Sequence, residues 1–146
     1  MRLKMFLCTL VMLYTTLGLS AQNAIDKAVD EYSSIGKSTF TSAVERDPKT
    51  RKVLKVVKVL QPTDITINKL RKAFLKEQEN GQFSIVTNDK EETMTLTVEN
   101  EKENRVYMLQ YVNREPFPEI GGVVHTRSSY ASFTDGKVTI IIKYKQ

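Results

Sequence analysis

Residues 46–60, RDPKTRKVLKVVKVL, decide how this chain is built. A basic residue recurs at every third place: Arg46, Lys49, Lys52, Lys55 and Lys58. As a helix, the stretch gathers Val53, Val56, Val57 and Leu60 on one side and the lysines on the other, with Asp47 as cap and Pro48 at the first helical position. As a hairpin, it turns through Asp47-Pro48-Lys49-Thr50, proline being favoured at the second position, and returns as a strand over 51–60 that Pro62 closes. The valines favour the hairpin, because a β-branched side chain is stiff at χ1 in a helix and packs well on a pleated surface. Lysines at spacing three then alternate between faces, as on an edge strand that charge protects against aggregation. The stretch lacks the aromatic platforms on which single-stranded nucleic acid stacks, so a solvated charged face is the reading it supports.

Outward from this hairpin the pattern stays mixed. Upstream, AIDKAVDEYS places Ile25, Ala28, Val29 and Tyr32 at spacings of three and four, one face of a short helix, and STFTSAVER reads as a strand. Downstream, TINKLRKAFLKEQE (66–79) is a helix with Ile67, Leu70 and Phe74 on its buried stripe, Ala73 beside it, and Asn80-Gly81 as its stop. Its charge order runs against the helix dipole. Lys69, Arg71 and Lys72 crowd the positive end and Glu77 and Glu79 the negative end, at a cost of ~0.3 kcal/mol per charge. Either a partner compensates for this or the charges are simply solvated.

Beyond Gly81 the chain reads as β throughout. QFSIVTN is a strand, and TMTLTVE alternates Met94, Leu96 and Val98 with threonines, as a half-buried strand does. RVYMLQYVN is apolar on both sides and belongs inside the sheet. Asp135-Gly136 predicts a two-residue hairpin loop between strands near 123–133 and 138–144, with Phe133 opposite Val138 and Ala131 opposite Ile140. The expected fold is therefore α+β: an antiparallel sheet of about five to seven strands with one or two helices packed on one face.

The first residues, MRLKMFLCTLVMLYTTLGLSAQ, have the three parts of a secretory signal: a basic start at Arg2 and Lys4, an uncharged run from Met5 to Leu19, and small residues at Ser20-Ala21. The run of ~15 residues is short for a spanning helix, which needs roughly 20. The reading is a signal over 1–21 and a single exported domain over 22–146, periplasmic or secreted, with no transmembrane anchor once the signal is cut. Cys8 leaves with the signal, and the remainder has no cysteine. Disulfides, thiol catalysis and thiolate metal sites are thereby excluded, and stability must come from a packed core. Without Arg2 and Lys4 the balance is 20 basic against 17 acidic residues, or +3. So mild an excess gives no support to a nucleic-acid partner.

The signal ending LSAQ, the IDKAVDEYSS helix, the turn at RDPKT and the segment KLRKAFLKEQENGQFSIV followed by hairpins resemble small exported domains of unknown function from Bacteroides-type bacteria. The resemblance covers nearly all of 22–146 in layout and short motifs. It implies a Gram-negative envelope and a helix-on-sheet fold, and it carries no catalytic residues.

Candidate chemistry is sparse. His125, the only histidine, lies in EIGGVVHTRSS on the side of Arg127 and Ser129, and no serine sits in a Gly-x-Ser-x-Gly elbow. The acidic turns 88–92 and 99–104 lie ~20 Å apart at opposite ends of one strand, and neither has calcium-loop spacing. Phosphate-cradling glycine motifs are absent. No metal or cofactor is expected. Glu115 and Glu119 flank Pro116-Phe117-Pro118 and supply the alternative reading, a small hydrolase or glycan-acting enzyme. The favoured reading is a non-enzymatic module binding an envelope protein or peptide, by its open sheet face or by strand addition at an edge. Tyr107, Tyr111, Phe117, His125 and Arg127 are its candidate binding residues, tyrosine and arginine being enriched in binding hot spots.

Overall fold

The computed structural model describes residues 23–114 and 133–146. Residues 46–60 are a hairpin. Strand β1 (Thr39–Arg46) pairs antiparallel with β2 (Val53–Gln61), with a register shift at Glu45/Arg46. Asp47 organises the turn: one carboxylate oxygen accepts from the backbone N–H of Lys49 at 2.8 Å and of Thr50 at 2.7 Å. Those two bonds favour the charged form and hold the Asp47 carboxyl below its usual range.

After Pro62, a single 3-10 turn (Asp64–Thr66) leads into helix α2 (Ile67–Lys76), and a second (Gln78–Asn80) ends it. The first helix, α1 (Ala24–Ser33), is capped by the Asn23 side chain, which accepts from the Asp26 N–H. Three further strands follow α2: β3 (Gln82–Asn88), β4 (Glu91–Glu99) and β5 (Glu103–Asn113). The last strand, β6 (Phe133–Tyr144), enters between β2 and β5. The result is one six-stranded antiparallel sheet in the order β1-β2-β6-β5-β4-β3.

Both helices lie on one face, so the fold is α+β as expected. Ile25, Val29 and Tyr32 of α1 and Ile67, Leu70, Ala73 and Phe74 of α2 close over Leu60, Met94, Leu96, Tyr107, Leu109, Val138, Ile140 and Ile142. The alternation in β4 is realised, with Met94 and Leu96 fully buried and Val98 packed against the core.

Three expectations are corrected. First, β2 is not an edge strand, because β1 lies outside it. Its lysines divide between the faces: Lys58 lies beside Ile140 on the helix side and Lys55 beside Lys143 on the other.

Second, Asp135-Gly136 is not a hairpin loop. Gln110 pairs with Lys137 and Val112 with Thr134, leaving Tyr111 opposite two residues, Asp135 and Gly136. This is a bulge within one continuous strand, with Asp135 in the left-handed region at φ 55°. Phe133 accordingly pairs with Asn113 rather than Val138, and Ile140 with Tyr107 and Lys58. Gly136 is required by a close approach: a Cβ there would lie 2.8 Å from Ile67 Cδ1 and 3.2 Å from Pro62 Cγ. Of the strand expected near 123–133, residues 123–132 lie outside the described residues.

Third, Glu77 has a partner within the chain. It is buried, and Oε1 accepts the Ala24 N–H at 2.8 Å, at the first turn of α1. A carboxylate at the tail of α2 therefore serves the positive end of the neighbouring helix.

Candidate functional site

Of the candidate binding residues, Tyr107 and Tyr111 fall in the described structure. Phe117, His125 and Arg127 lie outside it, as do Glu115 and Glu119. Both tyrosines project to the helix side of β5 and are buried, at 1% and 2% exposure. Neither is offered to a docking partner, which corrects their reading as surface contacts.

Each tyrosine instead anchors a helix. The Tyr107 hydroxyl donates to Asp26 Oδ2 of α1 at 3.0 Å, and Arg105 Nη1 reaches the same oxygen at 3.2 Å. Arg105 also pairs through Nε with Glu103 on its own strand. Burial raises the Asp26 carboxyl above its ordinary range, opposed by the Tyr107 hydrogen bond and by the charges of Arg105 and Lys58. Burial likewise pushes the Tyr107 hydroxyl up to about 12.

At the other end of β5, Arg71 Nε of α2 donates to the Tyr111 hydroxyl at 2.8 Å. The Arg71 guanidinium lies 4.4 Å from the Phe133 ring centroid, and Phe133 meets Tyr111 edge-on at 5.2 Å. The bulge explains this contact. Its extra residue turns Phe133, two places before it, onto the helix side where Arg71 can cover it. The sequence signal for Arg71 was its misfit charge at the start of α2. Nothing local to Phe133 pointed to this role.

A shallow cleft of about 220 Å³ opens at the bulge, lined by Glu91, Glu92, Thr93, Gln110, Tyr111, Val112, Asp135 and Lys137. Its three carboxylates converge on no common point: among the described residues, no three histidine, cysteine, aspartate or glutamate side chains are grouped to hold a metal ion. Glu92 accepts from Asn113 Nδ2 at 2.9 Å, and Asp135 from the Thr134 hydroxyl at 3.2 Å.

The face away from the helices is different in kind. Cross-strand pairing sets Ala43, Val57, Ile141, Val106 and Thr97 in one row. The adjacent row is Thr41, Val59, Thr139, Met108 and Thr95. Ten neighbouring side chains on five strands thus carry no charge, and among the described residues no helix lies over them. Val57, Val59, Val106, Met108 and Ile141 are half-buried by their neighbours in the sheet. The next row outward brings charge: Glu45, Lys55, Lys143, Asn104 and Glu99. The open face therefore has an uncharged centre, apolar along its middle strands, and a charged border.

Among the described residues no helix is long and apolar enough to cross a membrane. No curated protein and no solved structure matches the chain. A family model for a domain of unknown function, DUF5024, matches residues 22–116, well over half of the chain. The chain belongs to this DUF5024 family.

Proposed function

We propose that the protein is an exported, non-enzymatic binding module of the bacterial envelope that receives a protein or peptide segment on the open face of its sheet. The observation that carries the reading is the uncharged double row across β1, β2, β6, β5 and β4, with Val57, Ile141 and Val106 at its centre. Valine, isoleucine and methionine supply contact area there, the threonines supply hydroxyls, and the bordering lysines and glutamates fix orientation. The basic start and uncharged run at the N-terminus support export. The start of the family match at Gln22 agrees with a domain beginning where that signal would end.

The test is affinity capture from detergent-solubilised envelope of the host, using the secreted chain as bait beside Val57→Lys and Met108→Lys variants. Circular dichroism first establishes that both variants keep the native fold. The reading expects one strongly enriched protein that both variants lose and a Lys49→Ala turn variant retains. A capture profile identical for all four baits refutes the open face as the binding surface.

A further inference from the structure

Among the described residues the sheet has two unpaired edges, β1 and β3, and they differ. Strand β1 is exposed at all eight positions. Phe40 and Val44, on its helix side, are 37% and 51% exposed although their neighbours Leu60 and Val56 pack into the core. Exposed edges invite further pairing, and proteins block them with proline, lysine, inward-pointing charge or bulges. From Thr39 to Val44 this strand has none of these. Its charges, Glu45 and Arg46, come at the end, where the register shift also falls. The lysines that sequence reading assigned to edge protection stand one strand further in.

We propose that β1 is a homodimer edge: it pairs antiparallel with β1 of a second copy, with Ser42 opposite Ser42. Only registers that set residues of equal parity opposite each other keep both helix layers on the same side of a joined sheet. Among these, the Ser42-centred register sets Phe40 opposite Val44 of the second copy, and Val44 opposite its Phe40. Both large exposed apolar side chains of β1 thereby meet an apolar partner across the strands, at the 4.5–5.5 Å Cβ spacing typical of such pairs. Thr41 faces Ala43, which carries no charge either.

Charge selects the same arrangement. Lys37, just ahead of β1, comes toward Glu45 and Asp47 of the second copy, and the two-fold axis repeats this pairing at the other end. Asp47 is anionic on its own account, its carboxyl being held low by the turn N–H groups. The opposite edge lacks such selection. Strand β3, QFSIVTN, contains no charged residue, so self-pairing there has no electrostatic register. The β1 dimer doubles the sheet and leaves the open face of both copies free, so it is independent of the binding role proposed above.

Ser42 is exposed, so its substitution tests the edge without disturbing the core. Ser42→Lys and Ser42→Glu each place like charges face to face on the two-fold axis. Sedimentation velocity on the purified protein, from about 1 to 100 μM, reads the dimer directly, the range spanning a weak association. The wild type is expected to dimerise. Each variant alone is expected to weaken the dimer by about tenfold or more, and an equimolar mixture of the two to restore it. A wild type that stays monomeric at the top of the range overturns the proposal, as does a dimer that neither charge affects. Two monomeric variants whose mixture also stays monomeric overturn the Ser42-centred register. Thermal melts of each variant matching the wild-type monomer exclude misfolding as the cause.

Discussion

Asp26 is the residue on which the seating of α1 turns, and replacing it by alanine tests this with a calculable cost. Its Oδ2 is the acceptor for the Tyr107 hydroxyl, which is buried on the sheet with 1% exposure of its residue. Removing the acceptor strands that hydroxyl at about 1–3 kcal/mol. Arg105 loses one carboxylate but keeps Glu103 and is a quarter exposed, so its share is small. The expected loss for Asp26→Ala is therefore about 2 kcal/mol, a large fraction of the roughly 5–15 kcal/mol that holds a domain together. Asp26→Asn retains an oxygen for Tyr107 and should cost less than about 1 kcal/mol at neutral pH. Urea titrations followed by circular dichroism measure both, with unchanged slopes confirming that only stability has moved.

The asparagine variant also exposes the titration of Asp26. The folded carboxyl is raised, burial being the largest cause, so the native state binds its proton more tightly than the unfolded chain. That contribution is fully present below the unfolded value of 3.8 and is lost as pH rises through the folded value. The wild type should therefore gain on Asp26→Asn as pH falls from neutral into the acid range. A wild type that instead loses ground on acidification would mean that Arg105 and Lys58 outweigh burial, and the reasoning would fail. So would an alanine variant as stable as the wild type.

Further outcomes concern the strand in the middle of the sheet, with a control outside it. Gly136→Ala drives a Cβ to 2.8 Å from two atoms of the fully buried Ile67, so a loss of about 1–3 kcal/mol is expected in the same urea assay. Gly36→Ala has nothing within 4 Å and should stay within about 0.5 kcal/mol. A chain ending at Arg114 lacks β6 and should show no cooperative thermal transition, because β2 and β5 then have no common neighbour; a sharp transition would contradict the assigned strand order.

Why some of this was legible in the sequence and some not is a matter of what each signal encodes. Periodicity reports which side chains share a face. That placed β4 and the buried stripe of α2 correctly, and the apolar-on-both-sides pattern placed β5 inside the sheet. Alternation does not say which face the helices cover, so Tyr107 and Tyr111 were open to a surface reading until α1 and α2 were seen above them. Asp-Gly encodes a backbone able to enter the left-handed region. A hairpin loop needs that, but so does a bulge, and Asp135 at φ 55° serves the bulge. The lysines of β2 carried the composition of an edge, yet strand order depends on pairings far apart in sequence. The charge order of α2 was a true anomaly with a misjudged cause. Glu77 answers to Ala24, 53 residues away, and no window along the chain relates the two.

The family match ends at residue 116, but the physics of the fold does not. Of the elements in the described residues, both helices and five of the six strands fall within 22–116. In the observed order, however, β2 and β5 are not neighbours: β6 lies between them and pairs with both. Without it the sheet falls into a β1-β2 hairpin and a β5-β4-β3 unit, and a lone hairpin is marginal in water. The same strand supplies Val138, Ile140 and Ile142 to the core, and Ile141 to the centre of the open face. The uncharged row on that face is continuous only because Ile141 bridges Val57 to Val106. The surface proposed to bind a partner is thus completed by residues beyond the family match, and any functional comparison that stops at 116 compares two half-surfaces with a gap between them.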